Sequence, residues 1–557
     1  MTNSEINQKL KLATQLMELH GENPFKIRSY QSGREVIKSL SQELSEVDQL
    51  ESVQGIGKSL AKAIEQILES GSFDKLNNYL ELTPEGVIEM MKIPGFGPKK
   101  IAILWKDAGA ETLEQVKAMC EVGSVAELKG FAVKTQDSLA SAVDFVISCR
   151  GKMKYAIVEP FIELITSSLK DLKSIDDISE VGPARRKMEV LDSLELVIGT
   201  DDFELSRTEI NSLSTFHCDN MSSGPFTWKG YFEGLDLPVL IRFSSTRSYI
   251  KTLFDNTGSM SHLSQLAVKK HLKVSYQSER EIYESVGSAY IEPEMREGLG
   301  EVELAKENKL PKLLEMEDLN GILHNHSTYS DGKHTLREMA EYCKELGYEY
   351  LGITDHSQTA VYANGLQDYR VKEQQMEIKE LNKELSPFKI FSGIESDILA
   401  DGSLDYSEEV LSSFDFIVSS IHSGLTMDRA KATKRLLTAI YNPHTTILGH
   451  MTGRLILERE GYPVDHKAII DACAETGVVI EINASPYRLD IDWRWVDYAI
   501  QKGVKLSINP DAHSMSGYHD MKYGVMVGRK GGLTKEMTLN ALSHNEISEF
   551  FESRKRK

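Results

Sequence analysis

Nine residues between Leu319 and Lys557 are of the types that hold metal ions, and they recur in one pattern. Seven apolar, strand-like runs lie in this stretch, and six of them end in an imidazole or a carboxylate. LNGILHNH ends in His324 and His326, YEYLGITDH in His356, FKIFSGIE in Glu395, FDFIVSSIH in His422, TTILGH in His450, and VKLSINPDAH in Asp511 and His513. Asp331 follows the first run in the loop STYSDG. Nitrogen and oxygen ligands without thiolate suit zinc, manganese or iron(II). Nine ligands exceed one coordination shell, so two or three divalent ions are expected, sharing a bridging carboxylate such as Glu395. Such ions acidify water, neutralise phosphate oxygens and stabilise a leaving alkoxide, which is the chemistry of phosphoester hydrolysis. Arg454, in GHMTGRLIL just after His450, is placed to bind a phosphate bidentately; an ion pair at the rim is the competing reading. Asn483 and Ser485, after the remaining run VVIEINAS, are candidate pocket residues. His334, His444, His466, His519 and His544 do not follow strands and read as surface residues.

From residue 320 onward the runs alternate with amphipathic helices such as TLREMAEYCKELG and HKAIIDACAETG. That alternation implies parallel strands with crossover helices. Seven units predict a distorted relative of the eight-stranded α/β barrel, with its site at the C-terminal ends of the strands. Residues 149–310 mix helix with strand signals, the latter in VLDSLELVIGTDD and LPVLIRFSS. Residues 301–318 are charged around Pro311 and read as a linker, while residues 1–148 read as almost wholly helical. The 557 residues leave room for about three to four domains of roughly 150 each.

The bulk properties exclude several classes. A net charge of −20 argues against a broad electrostatic grip on nucleic acid. No apolar run reaches the length of a membrane span, and MTNSEINQKLK lacks the marks of a secretory signal. Cys120, Cys149, Cys218, Cys343 and Cys473 are scattered without a CxxC and read as reduced thiols in a cytoplasm. The basic tail RKRK reads as a solvated end.

Three glycine turns recur in the helical part: Gly55-Ile56-Gly57-Lys58, Gly95-Phe96-Gly97-Pro98-Lys99 and Gly130-Phe131-Ala132-Val133-Lys134. Glycine lets such a turn open a helix with its N–H groups facing outward, where they and a nearby lysine can hold a phosphate oxygen. Contacts of this kind grip the DNA backbone without reading sequence. The candidate DNA-binding residues are Gly55, Gly57, Lys58, Gly95, Gly97, Lys99, Gly130 and Lys134. Ala132 stands where the third turn should have its second glycine, so that contact is expected to be weakened. Residues 1–150 carry 17 Lys and Arg against 21 Asp and Glu, so binding is expected to be local.

The order of hairpins, mixed region and metal barrel resembles the bacterial family-X DNA polymerases that carry a C-terminal PHP domain. NPFKIRSYQSG, MMKIPGFGPKK, IYESVGSAYIEPEMREGLGE and HNHSTYSDG carry the resemblance. It implies an N-terminal helical domain with the first hairpin (1–83), a helix-hairpin-helix, fingers-like region (84–148), an α+β polymerase-β-like palm (149–245), a thumb-like region and linker (246–318), and a PHP phosphoesterase barrel (319–557). It also implies that all nine candidates are metal ligands. The polymerase part departs from the family. Against the family's Gly-Ser-x-Arg-Arg and Gly-Asp-x-Asp segments, this chain has Gly182-Pro183-Ala184-Arg185-Arg186 and Asp192-Ser193-Leu194-Glu195. The metal-binding aspartates therefore fall on Ser193 and Glu195, and a third carboxylate falls on Leu240. Thr257-Gly258-Ser259, similar to the family's nucleotide-binding turn, is expected to persist only as structure. The lysine of relatives with lyase activity falls on Ala63, beside Lys62.

The expected activity is thus a metal-dependent 3′–5′ exonuclease or 3′-end phosphoesterase in DNA repair, acting on gapped, nicked or 3′-end substrates, with polymerisation lost. Protein partners cannot be read from the sequence. The alternatives are an active repair polymerase and exonuclease as in the family, a small-molecule phosphatase of the histidinol-phosphatase type, and a non-catalytic DNA-binding scaffold.

Overall fold

The computed structural model describes residues 1–40, 42–266 and 275–555. The chain divides into two compact units, Met1–Arg150 and Gly151–Lys557. Among the described residues no helix is long and apolar enough to cross a membrane.

The first unit is helical. Its opening helix, Asn3–Leu19, is started by Thr2, whose side chain accepts from the Glu5 N–H while the Glu5 carboxylate accepts from the Thr2 N–H, a reciprocal cap for two otherwise unpaired donors. Ile6, Leu10, Ala13 and Met17 recur every three or four residues and form its buried stripe. The helices Pro24–Ser39, Lys58–Ser70, Asp74–Glu81 and Pro98–Ala102 pack against it, and Leu113–Glu121 and Val133–Cys149 pack on each other within the same core. Short 3-10 turns at Leu44–Glu46 and Leu50–Ser52 precede the first glycine turn.

Among the described residues the second unit contains fourteen strands. β1 (Met153–Lys154) and β3 (Val190–Leu191) pair as a short antiparallel ribbon. β2 (Asp177–Glu180), β4 (Leu194–Gly199), β5 (Phe216–Cys218), β6 (Thr227–Phe232) and β7 (Pro238–Ser244) form a mixed sheet in the order β2-β4-β7-β6-β5. Residues 301–318 depart from the linker expected there. Glu301–Lys306 is helical, and the buried Glu301 carboxylate accepts from the N–H groups of Gly298 and Leu299 and pairs with His262 at 2.6 Å. The preceding segment 267–274, within the thumb-like stretch, lies outside the described residues.

The barrel is built from β8 (Gly321–Ile322), β9 (Tyr350–Ile353), β10 (Lys389–Asp397), β11 (Phe416–Ser420), β12 (Ile447–Leu448), β13 (Val479–Asn483) and β14 (Leu506–Asn509). All neighbours are parallel and follow chain order. Helices on the outside bury the second face of each strand, which is why these runs are continuously apolar rather than alternating. Between β14 and β8 a side chain stands in for a ladder. The buried Asn540 amide accepts from the Ile508 N–H at 2.7 Å and donates to the carbonyls of Ile508 and Gly321 at 2.9 and 3.2 Å.

The N-terminal end of the barrel is plugged by the helix His544–Lys555. Its Phe551 stacks on Phe416 at 4.9 Å, and Gly393 leaves room for that ring, since a Cβ there would sit 2.7 Å from it. The expected solvated tail is thereby corrected in part. The Arg554 guanidinium donates to the carbonyls of Thr476 and Thr445, because the plug helix must be tied down; residues 556–557 lie outside the described set. One end is closed, so the opposite end, where the strands terminate, is the one open to chemistry.

Candidate metal centre

The nine candidates converge at that open end. Among the described residues they form four overlapping groups whose ligand atoms lie within 4.8 Å of one another: His326, Asp331, His356 and His513; His324, His326 and Asp511; His324, Glu395 and His450; and His356, Glu395 and His422. Glu395 is the hub. Its Oε1 lies 3.0, 3.1 and 3.2 Å from Nε2 of His450, His422 and His324. Its Oε2 lies 2.9 Å from His356 Nδ1 and 3.7 Å from His326 Nε2. Asp511 Oδ1 lies 3.1 Å from His326 Nε2, and Asp331 Oδ1 lies 3.4 Å from His513 Nε2.

The donor set fits divalent cations. Buried polar atoms are ordinarily hydrogen-bonded, and leaving one unpaired costs about 1–3 kcal/mol. Here His324 Nε2, His356 Nδ1 and Glu395 Oε2 are buried without a hydrogen bond, although they point at one another. Burial pushes the His326 imidazole down to about 3, aided by His513 and His356, so it is a neutral donor at ordinary pH. Burial also disfavours charge on Glu395, yet the imidazoles of His422, His324 and His356 hold its carboxyl well below the usual range. His324 and Asp511 adopt left-handed backbone, with φ of 62° and 53°. Non-glycine residues rarely do so unless the surroundings enforce it, and such strain collects at functional sites.

Two supporting carboxylates are not among the nine candidates, although Asp397 ends β10. Glu481, inside β13, accepts from His324 Nδ1 at 2.6 Å and from the His450 N–H at 3.1 Å. Asp397 lies 2.5 Å from His422 Nδ1. Partners of this kind orient ligating imidazoles and are worth about 10–100-fold in metal affinity. Glu481→Gln is therefore expected to weaken manganese binding about 10–100-fold, as read by calorimetric titration of the metal-stripped chain. Unchanged affinity would mean that His324 is oriented by something else. The signal for Glu481 was available: it is the one charged residue in the run VVIEINAS.

The structure corrects Arg454. Its Nη1 pairs with Asp492 at 2.5 Å, its Nε donates to the Arg488 carbonyl at 2.8 Å, and its Nη2 donates to the Leu489 carbonyl. All three directions are taken, so this guanidinium braces a loop rather than facing a ligand. The arginine directed at the metal cluster is Arg488, whose Nε lies 3.6 Å from Asp511 Oδ2. Asn483 donates to that same oxygen at 3.1 Å, and the Ser485 N–H donates to Asn483 Oδ1. His334, His444, His466, His519 and His544 fall in none of the four groups.

The three glycine turns share one backbone. Gly55, Gly95 and Gly130 have φ of 95°, 79° and 84°, which only glycine adopts readily. The second position is extended in all three, with φ of −85° at Gly57, −73° at Gly97 and −127° at Ala132. Ala132 thus meets no backbone penalty at that position. Ile56, Phe96 and Phe131 are buried beneath the turns, and Phe96 stacks on Phe131 at 6.4 Å. Lys58, Lys99 and Lys134 are exposed. Lys62 is exposed and Ala63 is buried in the core.

In the mixed sheet the palm-like positions contain one carboxylate. Glu195 lies opposite Leu240 in the β4–β7 register, its Oε2 is 3.0 Å from Arg242 Nη2, and Ser193 Oγ donates to Asp192.

A helical unit with glycine turns, a mixed α/β middle region and a seven-stranded parallel barrel rimmed by metal-ligand side chains define a multidomain protein with a PHP-type metal site. The comparisons agree: residues 1–73 match the helix-hairpin-helix domain family and residues 323–485 the PHP domain family. The "DNA polymerase/3'-5' exonuclease PolX" of Bacillus subtilis is 34% identical over 99% of this chain and 99% of its own length. The chain belongs to the PolX family of DNA polymerase/3′–5′ exonucleases. Two proteins named as probable phosphatases match the barrel half. One from Thermoanaerobacter sp. (strain X514) is 26% identical over 42% of this chain and 95% of its own length, and one from Clostridium acetobutylicum is 28% identical over 34% and 78%. The helix-hairpin-helix match and the family membership support DNA binding, and PHP domains are metal-dependent.

Proposed function

We propose that the barrel is a divalent-metal-dependent phosphodiesterase that removes nucleotides from DNA 3′ ends, and that the mixed sheet no longer extends primers. The carrying observation is the convergence of six imidazoles and three carboxylates, with Glu395 shared by two of their four groups, at the open end of the barrel. Two or three divalent ions bound there would supply Lewis acidity for an attacking water and the leaving oxygen. His324, His326, His356, His422, His450, His513, Asp331, Glu395 and Asp511 would hold them. Arg488 supplies what the ions do not, a fixed fork of N–H donors for a phosphate oxygen. The turns at Gly55–Lys58, Gly95–Lys99 and Gly130–Lys134 would take DNA backbone phosphates without regard to sequence.

The test uses a 5′-labelled oligonucleotide and manganese, with 4-nitrophenyl phosphate as the small-molecule control. Stepwise shortening from the 3′ end is expected, with little release from the small ester. The reverse preference would favour a small-molecule phosphatase, and inactivity on both would favour a scaffold. Arg488→Ala is expected to raise the oligonucleotide KM about tenfold or more, the worth of a charge-assisted contact. An unchanged KM would remove Arg488 from the phosphate site.

A further inference from the structure

The mixed-sheet region lacks a full carboxylate set, yet two of its side chains reach the barrel loop that carries Arg488. We propose that Lys154 and Glu189 are positioning residues: they hold residues 485–494 so that Arg488 faces a phosphate at the metal rim. This inference rests on the phosphodiesterase reading above.

The two residues come from the β1–β3 ribbon and its edge. Lys154, in β1, is 7% exposed. Its Nζ donates to Glu458 at 2.5 Å and lies 4.3 Å from the centre of the Tyr487 ring, next to Arg488. An ammonium this buried is costly unless paired, and a carboxylate with an aromatic face supplies the pairing. Glu189 directly precedes β3. Its Oε1 accepts from Arg494 Nη1 at 3.0 Å and its Oε2 from Trp493 Nε1 at 3.2 Å. Arg494 lies 2.9 Å from both oxygens of Asp492. Asp492 pairs with Arg454, which donates to the backbone carbonyls of Arg488 and Leu489. The chain of contacts from Glu189 to the backbone of Arg488 is unbroken.

These contacts overlap those that dock the region on the barrel at one point, where Lys530 Nζ lies 4.5 Å from the centre of the Trp493 ring. Docking is carried by the helix Met521–Lys530. There the buried Lys530 pairs with Glu297 and donates to the carbonyls of Arg186 and Glu294. Arg529 pairs with Glu294, and Lys522 and Tyr523 donate to Glu159. Lys154 and Glu189 instead address Glu458 and the loop, so losing them leaves the ion pairs and hydrogen bonds of that helix in place. A displacement of about 1 Å at a phosphate-holding group can cost about 10²-fold in rate, so a brace on this loop has a measurable consequence.

The experiment compares the full chain with Lys154→Met/Glu189→Gln. Amide exchange across 485–494 is expected to speed up about tenfold, and the oligonucleotide KM to rise about tenfold with kcat and bound manganese nearly unchanged. Lys154→Arg, which keeps the charge, is expected to bring KM back toward that of the unmodified chain. Unchanged loop exchange overturns the proposal, and so does faster exchange with an unchanged KM. Loss of metal or faster exchange throughout the barrel also overturns it, because the pair would then be a general folding contact. If the unmodified chain cleaves no oligonucleotide, the phosphodiesterase reading falls on its own. Binding of inorganic phosphate to the manganese-loaded chain then decides: weaker binding by the double variant supports the brace, and equal binding overturns it.

Discussion

Glu395→Ala is expected to abolish 3′-end digestion, with kcat lower by about 10³-fold or more. Charge stabilisation by bound divalent ions is worth several kcal/mol at a phosphoryl transition state, and each 1.36 kcal/mol is tenfold in rate. Glu395 is the hub of that provision. It lies within 3.7 Å of five of the six imidazoles, and two of the four ligand groups contain it. Alanine leaves those imidazoles without their shared carboxylate, so bound manganese should fall together with activity. The check is stoichiometry by elemental analysis alongside the digestion assay. A variant that keeps both full metal content and near-normal digestion would show that the cluster is not the reacting centre. A variant that loses metal but folds normally by circular dichroism is the expected result.

Much of this centre was legible because its residues obey a rule of topology. Parallel strands in chain order bring their C-terminal ends to one rim, so an imidazole or carboxylate ending each apolar run must meet the others, and all nine do. What was not legible depends on where loops return. Arg454 and Arg488 both lie a few residues beyond a barrel strand, β12 and β13 respectively, and their types are identical. Only the path of 488–492 decides that Arg454 is consumed by Asp492 and two carbonyls while Arg488 Nε lies 3.6 Å from Asp511 Oδ2. The backbone at Ala132 was not legible either: its counterparts Gly57 and Gly97 sit, like it, in extended backbone open to any residue. Asn540 and Lys154 belong to no motif. Each acts on chain distant in sequence, Asn540 on Gly321 and Lys154 on Glu458, and pairings of that range have no local pattern.

With primer–template, deoxynucleotides and manganese, the primer is expected not to lengthen. The assay is best run in the Glu395→Ala background, where digestion does not erase an extended product. Nucleotidyl transfer by two cations needs several carboxylates grouped closely enough to hold both. The palm-like positions offer Ser193, Glu195 and Leu240, and the register sets Glu195 directly against Leu240. The remaining carboxylate is already engaged, since Arg242 Nη2 sits 3.0 Å from Glu195 Oε2, and a cation would have to displace a guanidinium to reach it. The arginines of the Gly-x-x-Arg-Arg segment are committed as well. Arg185 pairs with the buried Glu279, which Arg296 also holds, and Arg186 pairs with Glu297 and donates to the Thr257 carbonyl. Without both metal sites several kcal/mol of transition-state stabilisation would be missing, so extension is expected to fall at least about 10⁴-fold below that of a competent polymerase. A lengthened primer in the Glu395→Ala chain would mean that a single glutamate, freed from Arg242, can assemble a working cation site, and the region would then be a polymerase after all.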